Sequence, residues 1–193
     1  MGLKIIVLNK QKSSSIILIH GLFTNSGFWF RHLKLLKNFR LIIIDLDYQK
    51  LFRREIQIEN INNQIFNAIK AKNDTVGIIS HSFGTILSQN LDCLNKYSLY
   101  QICPIKNVIS KNNIDFNNYI LSNTKLTEEE IIETRLMASR FSKTTISRDN
   151  LHFNYIPIDD QHFEYPVTEK CLFFEGDHFR IEKAIAVIMN SIQ

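Results

Sequence analysis

Short runs of aliphatic and β-branched residues alternate along the chain with longer stretches in which apolar residues return every three or four positions. Ile16–His20 (IILIH), Leu41–Leu46 (LIIIDL) and Thr75–Ser80 (TVGIIS) are nearly continuous apolar runs, the pattern of strands buried on both faces. Leu3–Leu8, Leu99–Cys103, Phe153–Ile158 and Cys171–Phe174 continue the series. Between them, Ile61, Ile65 and Ile69 fall on one face of a helix, as do Ile181, Ile185, Ile188 and Ile192. Strands alternating with amphipathic helices predict an α/β architecture on a largely parallel sheet. No internal repeat is visible.

The segment from about Pro104 to Asn150 breaks this rhythm. It is rich in Asn and Ser, and then presents Thr127-Glu128-Glu129-Glu130, a capping-box sequence with acidic residues in the first helical turn. Ile131 to Phe141 reads as the helix that follows. An excursion of about 45 residues between sheet strands is long for a plain loop. It is expected to be a small helical lid inserted into a single domain spanning residues 1–193.

Composition narrows the class without naming a function. At 193 residues, 45% hydrophobic and 22% charged, the chain can bury one sizeable core, and disorder is excluded. A net charge of +4 is too mild to predict a nucleic-acid partner. Cys93, Cys103 and Cys171 are odd in number and lack a C-x-x-C spacing, which predicts free thiols in a reducing compartment and no metal centre. Met1 to Lys12 lacks a leader pattern, and no apolar run approaches the ~18 residues that cross a bilayer. A soluble, cytoplasmic protein with no membrane partner is expected.

Chemistry concentrates at strand ends. Thr75–Ser80 runs into His81-Ser82-Phe83-Gly84 and then a helical pattern with Ile86, Leu87, Leu91 and Leu94. This strand–turn–helix context is that of a nucleophile elbow, with small residues two positions either side of an exposed serine. Ser80 stands where glycine is commoner. Ile16–His20 ends in His20-Gly21-Leu22-Phe23, ahead of a helix carrying Phe28, Trp29 and Leu33. The amides of Leu22 and Phe83 could together form a two-donor oxyanion hole. A serine hydroxyl needs a base. His178 follows the last strand-like run and Gly176, ahead of the final amphipathic helix. His81 adjoins Ser82 but points away from it, and His20 is expected to buttress the oxyanion turn. Asp160, with Asp159 as the alternative, follows the preceding strand, where a carboxylate can orient the imidazole. Asp177 is too near His178 to curl back to its ring, and Asp45 and Asp47 are read as loop caps.

Taken together, HGLFTNSGFW, LIIIDL, GIISHSFGT and EGDHF resemble the α/β-hydrolase superfamily. The resemblance spans the chain apart from about 104–150. It implies that fold, Ser82 as nucleophile, His178 as base, Asp160 as orienting acid and the Leu22 and Phe83 amides as oxyanion hole, with no cofactor. The spacing from His20-Gly21 to Ser82 is similar to that of the carboxylesterases that hydrolyse pimeloyl-acyl-carrier-protein methyl ester in biotin synthesis. Two departures stand out. Asp47-Tyr48-Gln49-Lys50 replaces the family's usual Pro-Gly-x-Gly-x-Ser, and the interval from Asp160 to His178 is short, as if a helix had been trimmed.

Arg135, Arg140, Lys143 and Arg148 would give the lid a basic rim suited to an acidic acyl carrier protein. Leu136, Met137 and Phe141 would face inward toward an acyl chain. A serine carboxylesterase acting on an acyl ester is the reading that results. A type II acyl thioesterase is its nearest rival, and a non-catalytic hydrolase-fold binding module the rival from another class.

Overall fold

The computed structural model describes residues 2–53, 56–70, 74–91, 96–105, 113–141, 152–160, 163, 165–166 and 170–192. Its centre is a seven-stranded sheet in the order β1-β3-β2-β4-β5-β6-β7. The strands are β1 Leu3–Leu8, β2 Ser15–Ile19, β3 Arg40–Leu46, β4 Thr75–His81, β5 Leu99–Ile102, β6 His152–Pro157 and β7 Cys171–Phe174. β1 runs antiparallel to β3, and every other pairing is parallel. All lie within a residue or two of the apolar runs that predict them.

Alternation along the strands divides the core into two layers. Ile17, Ile19, Ile42 and Ile44 face one layer, which is closed by Ile61, Ile65 and Ile69 of α4 (Ile58–Lys70) and by Ile86 and Leu87 of α5 (Phe83–Gln89). Ile16, Leu18, Leu41 and Ile43 face the other. There they meet Trp29 of α1 (Gly27–Phe30), Leu36 of α2 (Leu33–Leu36), and Ile185 and Ile188 of α8 (Glu182–Ile192). A strand buried on both sides has no polar face to show, which is why its sequence is a solid apolar run.

β4 ends where the chain's direction of winding reverses. From β2 it crosses outward to β3, then returns past β2 to β4 and continues to β7. At such a switch point the loops after neighbouring parallel strands diverge and leave a crevice at their carboxyl ends. Non-glycine residues with positive φ gather on this edge: Phe23 (63°) after β2, Ser82 (53°) after β4 and Cys103 (50°) after β5.

Between β5 and β6 lie α6 (Asn113–Asn123) and α7 (Glu128–Phe141). The capping box forms as expected: Glu130 N–H donates to Thr127 Oγ1 (3.2 Å) and Thr127 N–H to Glu130 Oε2 (2.7 Å). Ile120 and Ile131 bury together against Phe23, Phe163 and Phe179, so the helical pair rests on the loops at the carboxyl edge. The inward face of α7 differs from the expectation. Ile131, Thr134 and Ala138 are buried, whereas Leu136 is 61% exposed. Met137 is half-buried, and the side chain of Phe141 lies outside the described residues. α5 also stops at Gln89, short of Leu91, which is nonetheless buried. Leu94 lies outside the described residues. No helix occurs among the described residues between β6 and β7. No described helix is long and apolar enough to cross a membrane.

Candidate active site

Ser82 sits at the turn between β4 and α5 with φ 53° and ψ −127°. Side chains rarely adopt this backbone, and holding a non-glycine residue there costs on the order of 1–3 kcal/mol. The turn is tight because α5 starts hard against β2. A Cβ on Gly84 would lie 2.5 Å from the His20 carbonyl oxygen, and one on Gly21 would lie 2.6 Å from the Ser82 Cβ. These two contacts set the chain after β2 directly beside the serine. Ser80, fully buried in place of the commoner glycine, has its hydroxyl satisfied by Ser88, whose Oγ donates across 3.1 Å.

The structure brings Ser82, His178 and Asp160 together from three different strand ends. Ser82 Oγ and His178 Nε2 lie at hydrogen-bond distance, 2.8 Å. On the far side of the imidazole, Asp160 Oδ2 stands 3.6 Å from Nδ1. Tyr165 occupies the gap, its hydroxyl 3.0 Å from Nδ1 and hydrogen-bonded to Asp160 Oδ2. Phe163 stacks flat on the imidazole at 3.7 Å and 10°, and Phe179 meets it edge-on at 5.4 Å. Asp159 takes a separate part: it is exposed, and its Oδ2 accepts from Gly176 N–H at 3.0 Å. Asp177 accepts from the amides of Phe179 and Arg180 and from the Arg180 guanidinium. Leu22 and Phe83, the residues after Gly21 and Ser82, are both buried at the crevice. Ser82 and His178 are closed to solvent, 4% and 2% exposed.

The two other buried histidines of the edge shape the backbone. His81 turns away from Ser82, stacks on Phe28 at 4.5 Å, and donates from Nε2 to the His178 carbonyl at 2.7 Å. His20 donates from Nδ1 to the Gly21 carbonyl (2.9 Å) and accepts Leu46 N–H at Nε2 (3.0 Å), while Tyr48 hydroxyl donates to the His20 carbonyl. Asp45 accepts from Ser26 N–H at 2.8 Å, and Asp47 caps α3 (Tyr48–Phe52). Tyr48, part of the stretch that replaces the usual Pro-Gly sequence, therefore braces the turn after β2.

Burial lowers the pKa of both histidines beneath the ordinary value of 6.5, and His81 farther still because His178 adds to it. Both stay neutral when folded and become protonated when unfolded. Folding stability is then intact above about pH 6.5 and is lost as pH falls below it, by up to about 1.4 kcal/mol per pH unit for each histidine. Urea midpoints measured from pH 7.5 to 5.0 should fall along this slope, and His81→Phe should make it shallower. A slope that His81→Phe leaves untouched would show that His81 is not one of its sources.

His81, Cys103 and His178 also present ligand-type atoms within 4.8 Å of one another. Their atoms are taken up otherwise. His81 Nε2 holds the His178 carbonyl, the His178 nitrogens face Ser82 and Tyr165, and burial pushes the Cys103 thiol up so that it remains protonated.

A cavity of about 650 Å³ opens alongside, walled by Phe23, Phe28, Tyr48, Leu126 and Phe179 and by the exposed cations Arg31 and Lys125. Of the basic residues expected to rim the lid, Arg135 instead turns inward. It is half-buried and donates to Asn117 Oδ1 at 2.9 Å. The Arg140 side chain, Lys143 and Arg148 lie outside the described residues. Sequence reasoning missed Tyr165, Phe163 and the pair Arg31 and Lys125.

The fold that carries this site is the α/β-hydrolase fold. Three of the structurally similar proteins cover nearly the whole chain. The thioesterase domain of SrfTE, which cyclises the lipopeptide antibiotic surfactin, is 9% identical with a TM-score of 0.67, over 98% of this chain and 95% of that one. A lipase-esterase related protein from Clostridium acetobutylicum is 16% identical with a TM-score of 0.61, over 100% and 98%. The type II thioesterase BorB of the borrelidin biosynthetic cluster is 15% identical with a TM-score of 0.57, over 96% and 94%. No family model and no curated protein matches the chain in sequence.

Proposed function

We propose that this protein is a serine hydrolase that cleaves an acyl ester through an acyl-enzyme on Ser82. The observation that carries the reading is the 2.8 Å hydrogen bond from Ser82 Oγ to His178 Nε2 at a strained elbow. In the reaction, Nε2 takes the Oγ proton as Oγ attacks the acyl carbon, giving a tetrahedral oxyanion. The amides of Leu22 and Phe83 would stabilise that charge. The intermediate collapses to the acyl-serine as Nε2–H protonates the departing oxygen or sulfur. Water, deprotonated by the same nitrogen, then releases the acid and restores Ser82. Asp160 orients the imidazole.

The chain is read as one domain, and the insertion of about 104–150 as its lid. Support comes from the seating of Ile120 and Ile131 on Phe163 and Phe179 beside His178. Since Ser82 is nearly inaccessible, the lid must shift for substrate to enter. The cavity's aromatic wall favours an acyl chain. A carrier-protein-bound acyl ester, such as the pimeloyl methyl ester of biotin synthesis, is the finer form of the proposal. Arg31 and Lys125 carry the sign an acidic carrier requires. The second reading, a type II thioesterase, is favoured by the thioesterases among the similar folds.

Intact-mass labelling with a fluorophosphonate tests the core of the proposal. One adduct on the wild-type protein and none on Ser82→Ala is expected. A folded wild-type protein that takes no adduct would favour the binding module instead. Methyl-ester and thioester forms of one acyl carrier protein, offered in parallel, separate the two enzymatic readings by which bond is cleaved.

A further inference from the structure

The 3.6 Å between Asp160 Oδ2 and His178 Nδ1 is too long for a hydrogen bond, and Tyr165 spans it. The direction of each bond follows from what the groups can do. A carboxylate accepts and cannot donate, so the phenol proton points to Asp160 Oδ2. The phenol has one proton only. Its oxygen can therefore meet Nδ1 at 3.0 Å only by accepting from it, and Nδ1 must carry the hydrogen. That leaves the Nε2 lone pair facing Ser82, which is the tautomer a base requires.

We propose that Tyr165 is a positioning residue that links Asp160 to His178, fixing the imidazole tautomer and passing the carboxylate's charge to it through the phenol. The proposal rests on the serine hydrolase reading for its catalytic meaning. The phenol suits this place because burial, reinforced by Cys103 and Asp160, drives its pKa far above the usual range and keeps it an O–H donor. Phe163, two residues earlier, holds the ring's flat face. The segment that joins β6 to β7 thus fixes His178 both in plane and in orientation.

The groups facing His178 that titrate or carry charge are Asp160 and Tyr165 at Nδ1, His81 at its carbonyl and Cys103, whose Sγ is 4.0 Å from that carbonyl. Asp177 adjoins it in the chain, and Tyr119 of α6 packs on its neighbour Phe179. Burial keeps His81 and Cys103 neutral, so removing the phenol hydroxyl acts on His178 through Asp160's charge.

Tyr165→Phe deletes that hydroxyl and keeps the ring. With p-nitrophenyl butyrate as substrate, it is expected to lower kcat about tenfold to a hundredfold at nearly constant KM. It should also lower the pH midpoint of kcat/KM by roughly half a unit or more, because the imidazolium loses a partner. Asp160→Asn should cost more, and Asp160→Asn with Tyr165→Phe no more than Asp160→Asn alone, since linked groups fail together. A Tyr165→Phe enzyme within twofold of wild type in kcat and with the same midpoint would overturn the proposal, as would losses that multiply. A second measurement needs neither a variant nor turnover. In the ¹⁵N spectrum of the wild-type protein, His178 should carry its proton on Nδ1, with that proton close to the Tyr165 ring. An Nε2–H tautomer overturns the link even if Ser82 takes the fluorophosphonate. If no adduct forms but the Nδ1–H is found, the hydrolase reading fails and the link stands.

Discussion

Ser82→Ala is expected to lower the hydrolysis of an activated acyl ester by on the order of 10⁶-fold, and His178→Ala to do much the same. The double variant should be no slower than either single one. The reason lies in the 2.8 Å contact between Oγ and Nε2: the hydroxyl is a poor nucleophile without the nitrogen, and the nitrogen has nothing to activate without the hydroxyl. What is expected to survive in each variant is the contribution of the proposed oxyanion donors and of substrate binding, roughly 10³–10⁴-fold over water. Steady-state rates with p-nitrophenyl butyrate, alongside circular dichroism to verify the fold, make the comparison. Losses from the two single changes that multiply in the double would mean that serine and histidine act independently.

Gly84→Ala is expected to destabilise the protein by about 3 kcal/mol or more, at the upper end of the range for overpacked sites. An added Cβ would meet the carbonyl oxygens of His20 at 2.5 Å and of Ile19 at 2.9 Å. Both belong to backbone that cannot rotate away, so α5 and the end of β2 have to separate. That movement reaches the chemistry as well. The His20 carbonyl also accepts the Tyr48 hydroxyl, and Gly21 abuts Ser82, so displacing this stretch carries the Leu22 amide with it. Urea unfolding gives the stability loss. A change below about 1 kcal/mol would show that the elbow relaxes more cheaply than its contacts imply.

The sheet was legible because burial on both faces writes itself as unbroken runs such as LIIIDL. The serine and the histidine were legible because each follows a strand and precedes a helix. α6 escaped notice for the opposite reason. Its sequence, NIDFNNYILSN, is mostly polar, and among its described side chains Asn117 and Ile120 are the buried ones. The orientation of α7 was misread since two of its inward positions are Thr134 and Ala138, too small or too polar to mark a face, while Leu136 points outward. Asp160 was favoured over Asp159 on distance past the strand, and the structure sets Asp160, not Asp159, at the imidazole. Tyr165 has no local signal at all. Its meaning depends on a fold that carries one phenol into a gap between two residues that are 18 positions apart along the sequence, Asp160 and His178.

His178 follows β7, which among the described residues pairs with β6 and forms the rim of the sheet, while Ser82 follows the central β4. Local opening costs least where few buried contacts hold an element and most in the core strands. On the proposed reading, fraying at the rim would part Ser82 from His178 while the interior stayed intact, so activity is expected to be lost before the fold. The bond from His81 to the His178 carbonyl opposes that separation. It ties the loop after the edge strand to the end of the central strand, from the residue next to Ser82.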